Sequence, residues 1–330
     1  MSVILASAPH THSMFNVART MVAVMVCLAP ATAFGLYHFG LPAIFLFCVT
    51  VASAYLIELA CLWVARRPVA RFARDGSALL TGWLVALTLP PWAPWWVGVT
   101  GAFIAVVIAK HMFGGLGQNL FNPAMVARAM LLVALPVPMT QWVAPFDAAH
   151  GPDLAQALAV TFGGTPVFDA MSSASLLGTM QSQLDAGRTV PEIMAEAGGP
   201  WPLFTGRIPG SLGETSALLL LGGGLALVLL RIINVVTPLA VLGSVAVLSG
   251  VAWLIDPLHF APPAVHLGSG ALMLCAFFIA TDYVTSPVTA MGKAIYGVGI
   301  GSLTFVIRTW GAAGWTFGVW SARSNLALAR

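Results

Sequence analysis

Nine long apolar runs, separated by short polar or proline-containing segments, are the feature that most limits how this chain can fold. A helix needs about 20 mostly apolar residues to cross the hydrocarbon core of a bilayer. Within that core every backbone N–H and C=O group must find a partner in the protein, so such runs predict helices. The runs are residues 20–37, 41–65, 77–90, 95–113, 122–136, 215–231, 235–255, 268–282 and 293–309. We therefore predict an all-α polytopic membrane protein with about nine transmembrane helices.

Charged residues are too rare here for a water-soluble fold. They make up 8% of the 330 residues, against 59% that are hydrophobic, whereas soluble domains carry about 25% charged residues. The net charge of +3 is too small to indicate a nucleic-acid partner, so membrane lipid is the expected surrounding. The cysteines lie inside apolar runs without a CxxC pair, which predicts buried free thiols and no metal site. They are Cys27, Cys48, Cys61 and Cys275.

The distribution of charge predicts an orientation in the membrane. The 66–74 loop holds four arginines and should be cytoplasmic, because short cytoplasmic loops carry an excess of Lys and Arg. Counting spans then places the N-terminus in the cytoplasm and segment 137–214 on the exoplasmic side of the membrane. That segment holds seven acidic residues and two arginines. The predicted division is an N-terminal membrane half (1–136), the exoplasmic segment, and a C-terminal membrane half (215–330).

Two parts of the sequence resemble each other. Residues 76–90 and 268–282 share a small-residue opening and an apolar run, and each precedes a lysine in glycine-rich sequence, Lys110 and Lys293. By the span count the second copy lies five spans after the first. An odd number of spans inverts the second copy relative to the first. Inverted repeats place functional sites near their pseudo-two-fold axis, often at interrupted helices. The alternative is chance similarity between apolar segments.

Residues 110–129, KHMFGGLGQNLFNPAMVARA, predict an interrupted helix. Glycines such as Gly115 permit positive φ or close backbone approach. Asn122 and Pro123 end one helix and begin another, because proline suits the first turn of a helix and disfavours helix before it. At membrane depth such a break must be buried in protein or line a cavity. The break is either a structural pivot or an ion or cofactor site, and the residues alone favour neither.

Three ionisable residues lie within or beside the predicted spans. Glu58, Lys110 and Asp282 are costly in a membrane unless they are paired or face a water-filled cavity. We interpret them as a candidate ion or proton path. The alternative is a buried structural pair, or side chains that reach to the membrane interface.

Residues 169–177, DAMSSASLL, form a small polar run in the acidic segment. Taken alone, the serines could cap a helix. The run contains no His or Cys that would make a serine nucleophilic, so no catalytic residue is predicted.

Residues 110–124 resemble the signature of the family that comprises the D subunit of the Rnf electron-transport complex and the B subunit of the sodium-pumping NADH:quinone oxidoreductase. Further similar segments are SAPHTH (7–12), ALLTG with LPPWAPWW (78–96) and LGSGALMLCAFFIATD (267–282). The SAPHTH start and the compact length favour the Rnf protein over the quinone-reductase protein. The family usually has ten helices, and residues 311–330 lack the apolar helix with which it ends.

The resemblance implies a covalent flavin. In the family a D-x-x-S-[GS]-A-T motif accepts FMN, whose phosphate a flavin transferase joins to the terminal threonine hydroxyl. Asp169, Ser172, Ser173 and Ala174 match this motif, and Ser175 stands in the threonine position. Serine has the same hydroxyl, so the expected attachment site is Ser175. Family members also hold a non-covalent riboflavin, for which no residues can be assigned.

The resemblance also implies a function. The chain would relay electrons through FMN within an ion-translocating ferredoxin:NAD+ oxidoreductase, beside the A, B, C, E and G subunits, and would be inactive alone. Electron flow would be coupled to Na+ or H+ translocation. Alternatives of another class are an inverted-repeat channel or transporter and a non-catalytic assembly subunit, and bound flavin separates these from the relay.

Overall fold

The computed structural model describes residues 16–69, 73–145, 151–163, 172–173, 176–196, 198–206 and 208–311. Within these residues the fold is helical, apart from one antiparallel pair of two-residue strands. By length and composition, four helical stretches could cross a membrane: Val17–Val64, Trp95–Phe113, Val236–Ile255 and Ala290–Trp310. The prediction of an all-α polytopic membrane protein is confirmed.

The α-helices are α1 (Val17–Val64), α2 (Ser77–Thr88), α3 (Trp95–Phe103), α4 (Pro123–Ala134), α5 (Pro136–Thr140), α6 (Leu154–Leu158), α7 (Leu176–Asp185), α8 (Val190–Glu196), α9 (Trp201–Thr205), α10 (Ala217–Leu229), α11 (Val236–Ile255), α12 (Pro263–Gly268), α13 (Leu272–Leu274) and α14 (Ala290–Trp310). Strand β1 is Trp142–Val143 and strand β2 is Ser172–Ser173. Short 3-10 helices are Ala73–Asp75, His111–Phe113 and Leu212–Glu214, and π-helical turns are Ile104–Ile108, Ala159–Gly163 and Cys275–Ile279.

Helix α1 contains two of the predicted spans, 20–37 and 41–65, joined by a kink. Gly40 lies between them with φ 71° and ψ −161°, which is not helical. A residue with a Cβ rarely adopts positive φ, so glycine suits this position. Pro42 follows in the first turn after the kink, where proline is tolerated. Each of the nine predicted spans contains helix in the described residues.

One helix in each membrane half passes into a π-turn. Helix α3 passes into the π-turn Ile104–Ile108, which closes with Ala109 N–H donating to Ile104 O at 2.9 Å. Helix α13 passes into the π-turn Cys275–Ile279, which closes with Ala280 N–H donating to Cys275 O at 2.8 Å. π-turns inside helices are rare and frequent at functional sites. A charged residue follows each turn within three residues.

This structural likeness differs from the predicted pairing of 76–90 with 268–282. The shared feature is a π-turn, which ends two residues before Lys110 and three residues before Asp282. Lys293 lies in the first turn of α14 after the N-cap Thr289. Apolar segments rich in small residues look alike in sequence, and the π-turn that distinguishes them is visible only in the backbone. The inverted relation of the two halves stays a prediction.

Small residues hold the long helices close together. A Cβ added to Gly82 of α2 would lie 2.7 Å from Ala54 Cβ of α1, and one added to Gly297 of α14 would lie 2.6 Å from Ala240 Cβ of α11. Close backbone approach of this kind is how helices associate in lipid, where apolar surface has no preference for protein over acyl chains. The α1–α2 and α11–α14 pairs therefore pack with their backbones close together.

Segment 137–214 has a small core of its own. Met180, Val190, Ile193 and Leu203 are buried together with Val265 of α12. Backbone N–H of Val190 also donates to Leu258 O at 2.8 Å. The segment is thereby packed on the residues that connect α11 to α12. The boundaries of the three predicted regions stay a prediction.

Candidate functional site

A buried ion pair lies between α1 and the end of the first π-turn. Lys110 Nζ lies 3.0 Å from Glu58 Oε1, and the residues are 2% and 3% exposed. Lys110 Nζ also donates to Ser77 Oγ at 2.8 Å. Removing two charges from water is unfavourable, and close geometry with further hydrogen bonds is what offsets that cost. Glu58 and Lys110, both predicted candidates, are brought into direct contact.

Further polar side chains extend this pair. Ser77 Oγ donates to Asp75 Oδ1 at 2.6 Å, so the hydroxyl accepts from Lys110 and donates to Asp75. On the other side His111 Nε2 approaches Glu58 Oε2 to 2.9 Å, although the angles do not make a hydrogen bond. The contacts run from half-buried Asp75 to half-buried His111. Between them lie the buried side chains of Ser77, Lys110 and Glu58. The sequence analysis did not predict that His111 belongs to this group of contacts. Its position next to Lys110 in the sequence could have indicated it.

A cavity of about 90 Å³ adjoins Lys110. Its lining includes Asp282 as well as the helix break Asn122–Pro123. Among the described residues, Asp282 forms no ion pair within 4 Å. The third predicted candidate therefore faces the same space as Lys110, while Glu58 reaches it through Lys110. We refer to this space as the Lys110 cavity.

The predicted helix break is present in the structure. Asn122 caps α4, its Oδ1 accepting from Ala124 N at 3.1 Å and from Met125 N at 3.4 Å. Gly115 has φ 100°, and Arg67 Nη1 donates to the carbonyl of neighbouring Gly114 at 3.1 Å. Side-chain capping satisfies N–H groups that would otherwise lack partners at the start of a helix. The geometry of the break matches the expectation, and its role as a pivot stays a prediction.

The flavin-attachment motif is described only in part. Asp169, Ala174 and Ser175 lie outside the described residues. Ser172 and Ser173 form β2, which pairs antiparallel with β1 so that Ser173 is opposite Trp142 and Ser172 is opposite Val143. Paired residues in such a ladder have Cα atoms about 4.5–5.5 Å apart. The backbone of the motif is thus held beside Trp142.

Trp142 lines a second cavity, of about 350 Å³, which we refer to as the arginine cavity. Its charged residues are Arg128 of α4, Arg308 of α14 and Glu214. Arg308 Nη1 donates to His266 O at 2.6 Å and Nη2 donates to Ser269 O at 2.8 Å. Arg128 Nη1 donates to Thr88 O. The lining is Arg128, Trp142, Ile208, Pro209, Glu214, Ser269, Gly270, Ala271, Leu272, Cys275, Thr304 and Arg308.

Sequence reasoning did not single out these arginines. Both lie in apolar runs that were predicted as spans, 122–136 and 293–309. A charged side chain within a span is costly unless it is paired or faces a cavity, and this applies to the arginines as it does to Glu58 and Asp282. Ser269 Oγ, on the cavity wall, is buried without a hydrogen-bond partner. Such an atom is unusual, because buried polar groups are nearly always paired.

Comparison with known proteins agrees with the resemblance drawn from the motifs. Residues 4–320 match the family NQR2, RnfD, RnfE. The chain is 60% identical over 301 residues to the D subunit of the ion-translocating oxidoreductase complex from Rhodobacter capsulatus, covering 91% of this chain and 84% of that protein. The proteins of the same name from Stutzerimonas stutzeri and Vibrio cholerae are 48% and 38% identical over 298 and 323 residues, covering 90% and 94% of this chain and 84% and 91% of theirs. The chain belongs to the NQR2, RnfD, RnfE family.

Proposed function

We propose that this chain is the membrane electron-relay subunit of an ion-translocating oxidoreductase complex and works only within that complex. The observation that carries the proposal is its 60% identity, over 91% of its length, to a protein named as the D subunit of such a complex. The proposed donor and acceptor are ferredoxin and NAD+, and the proposed coupling ion is Na+ or H+, as the family resemblance implies. The A, B, C, E and G subunits and a flavin transferase are the proposed partners.

The proposed redox group is FMN, joined through its phosphate to Ser175. FMN would supply the electron-transfer chemistry, and the protein would fix its position and surroundings. Support comes from β2, which places the backbone of Ser172 and Ser173, two residues of the same motif, beside Trp142 at the edge of the arginine cavity. A riboflavin bound without a covalent bond is part of the same proposal, with no residues assigned to it.

The proposed ion path begins at the Lys110 cavity. Asp282 supplies a carboxylate on the cavity wall that forms no ion pair with another described residue, whereas the charge of Lys110 is matched by Glu58. A cation or proton entering the cavity would therefore interact most strongly with Asp282. The proposed orientation places the N-terminus in the cytoplasm of a bacterial cell, Lys110 toward that side, and segment 137–214 on the exoplasmic side of the inner membrane.

In-gel flavin fluorescence tests the attachment. The full chain, expressed together with an active flavin transferase, should give a fluorescent band after denaturation, because a phosphodiester survives conditions that release a non-covalent flavin. Ser175→Ala should abolish the band, and Ser175→Thr should retain it. Ser172→Ala is the matched control, since it removes a hydroxyl of the same motif and should leave the band. Intact mass should report one added FMN.

A dark band from the unaltered chain, with the transferase shown to be active on another substrate, would refute the attachment. It would favour an assembly subunit or a transporter. A band that survives Ser175→Ala but disappears in Ser172→Ala would instead move the attachment within the motif.

A further inference from the structure

We infer that the arginine cavity binds the phosphate group of the flavin, with Arg128 and Arg308 as its cationic partners. The inference rests on the proposed flavin for the identity of its ligand. Every residue that lines the cavity is described in the structure. Their charges and hydrogen-bond donors favour an anionic ligand whether or not Ser175 carries the flavin.

The first step is the charge on the cavity wall. Two guanidinium groups face one carboxylate, Glu214, which leaves an excess of one positive charge. Glu214 acts on both arginines electrostatically but forms no ion pair within 4 Å with either among the described residues. The carbonyl groups that accept from Arg128 and Arg308 are neutral. An unbalanced, partly buried cation is unfavourable, and a bound anion would offset it.

The second step is the supply of hydrogen-bond donors. A guanidinium has five N–H groups, of which Arg308 uses two and Arg128 uses one in described hydrogen bonds. The remaining donors match phosphate oxygens, which arginine binds with strong charge-assisted hydrogen bonds. Ser269 Oγ, buried and without a partner on the same wall, adds a neutral donor.

The third step is the size and location of the cavity. Its volume of about 350 Å³ falls within the range of about 300–1,000 Å³ that is usual for small-molecule sites. Trp142 belongs both to the cavity lining and to β1, which holds the backbone of Ser172 and Ser173. Two residues of the motif that is expected to carry FMN therefore lie at the edge of a cavity that has an excess of positive charge.

Paired flavins test the inference without requiring the covalent bond. The Ser175→Ala full chain is placed in nanodiscs of zwitterionic lipid, and binding of FMN and of riboflavin is followed by quenching of flavin fluorescence. The two ligands share a ring system and differ in the phosphate. FMN should bind at least about tenfold more tightly than riboflavin, as expected for charge-assisted hydrogen bonds. Inorganic phosphate at millimolar concentration should compete with FMN and leave riboflavin binding unchanged.

Variants then assign the preference to the cavity. Arg308→Gln should reduce the FMN preference to about twofold or less, and Arg308→Lys, which keeps the charge, should retain most of it. Arg188→Gln is the matched control, because Arg188 lies in segment 137–214 but pairs with exposed Glu196 outside the cavity. Its FMN preference should equal that of the parent chain. If Arg308→Gln does not yield folded protein, Arg128→Gln, which removes the other cation of the cavity, should reduce the FMN preference in the same way, and an unchanged preference would overturn the inference.

The outcomes separate this inference from the proposed function. Equal binding of FMN and riboflavin by the Ser175→Ala chain with both arginines intact overturns the phosphate site. This holds even where the gel shows flavin on Ser175 of the unaltered chain. A preference that survives Arg308→Gln also overturns it. A preference for FMN that depends on Arg308 supports the phosphate site, even where the gel band is dark. Occupation by an anionic lipid headgroup would be revealed if phosphatidylglycerol abolished binding of both flavins alike, and that would overturn the assignment.

Discussion

The two cavities of this membrane protein handle charge in opposite ways. In the Lys110 cavity the lysine is matched at 3.0 Å by Glu58, and the further polar contacts are made by side chains of the same chain. In the arginine cavity the guanidinium groups of Arg128 and Arg308 donate only to neutral carbonyls in the described structure. The Lys110 cavity is thus left with one carboxylate, Asp282, that forms no ion pair among the described residues and would attract a cation or proton, whereas the unmatched guanidinium groups gain from an anion. The difference points to a pathway at one cavity and a binding site at the other.

The two cavities nevertheless share structural elements. Pro123 and Ala124 line the Lys110 cavity, and Arg128 of the same helix α4 lines the arginine cavity. Four residues of helix correspond to about 6 Å along its axis. The π-turn Cys275–Ile279 likewise contributes Cys275 to the arginine cavity and Phe277 to the Lys110 cavity. A change in charge at the proposed flavin site would therefore act on the same two elements that carry the proposed ion path.

The proposed orientation of the chain in the membrane makes an all-or-none prediction. A topology reporter fused after Arg74 should be active only as a cytoplasmic marker, and one inserted at Ala186 only as an exoplasmic marker. The reason is the excess of arginine in residues 66–74 and of acids in 137–214. Paired phosphatase and fluorescent-protein fusions measure this. Reporters that agree with each other would mean that the number of crossings between these positions is even.

The positions of the helices could be predicted from sequence because an apolar run is a local property. The composition of each run is enough to predict a helix that lies in lipid. The break at Asn122–Pro123 likewise follows from the backbone preferences of two adjacent residues. The helical kink at Gly40 falls between two predicted spans for the same reason.

The arginine cavity could not be predicted because it is not local. Arg128 and Arg308 are 180 residues apart in sequence, and only the folded chain brings α4 and α14 to the same cavity. The likeness of the π-turns before Lys110 and Asp282 was missed because a π-turn leaves no sign in the amino-acid composition. The flavin motif was recognised through family resemblance, since a run of serines and alanine has no chemistry of its own.

The matched charge of the Lys110 cavity predicts a large loss of stability when one partner is removed. Glu58→Gln should destabilise the folded chain by about 3–5 kcal/mol, because it leaves the Lys110 charge buried without a partner. The double variant Glu58→Gln with Lys110→Met should recover most of this loss. Reversible unfolding in mixed micelles of mild detergent and dodecyl sulfate measures both.

The exposed pair Arg188–Glu196, with N–O distance 2.7 Å, is the control for that experiment. Arg188→Gln should cost at most about 1 kcal/mol, since exposed ion pairs contribute little. If Glu58→Gln cost no more than Arg188→Gln, Glu58 would already be uncharged or hydrated, and the contrast between the two cavities would be lost.

A smaller loss is expected at the glycine-rich turn beside the Lys110 cavity. Gly115 has φ 100°, a conformation that L side chains rarely adopt, and an added Cβ would lie 3.3 Å from Arg67 Nη1. Gly115→Leu should therefore cost about 1–3 kcal/mol of backbone strain and reduce assembly into the complex. Gly299→Leu on α14 is the control, because its Cβ would meet no atom within 4 Å. Equal assembly of both variants would contradict the importance of this turn.

The smallest effect is expected at the cap of α4. Asn122→Ala removes the side chain that accepts from Ala124 N and Met125 N, and loss of such a cap costs about 1 kcal/mol. Because α4 lines both cavities, fraying of its first turn should disturb the Lys110 cavity and leave Arg128, more than one turn further along, in place. Unfolding in mixed micelles gives the stability loss, and the FMN-over-riboflavin binding ratio reports the arginine cavity. Asn122→Ser, which can still cap through a neutral side chain, should stay close to the parent chain in both measurements. If Asn122→Ala also abolished the FMN preference, the two cavities would be one coupled site, and the contrast between a pathway and a binding site would no longer hold.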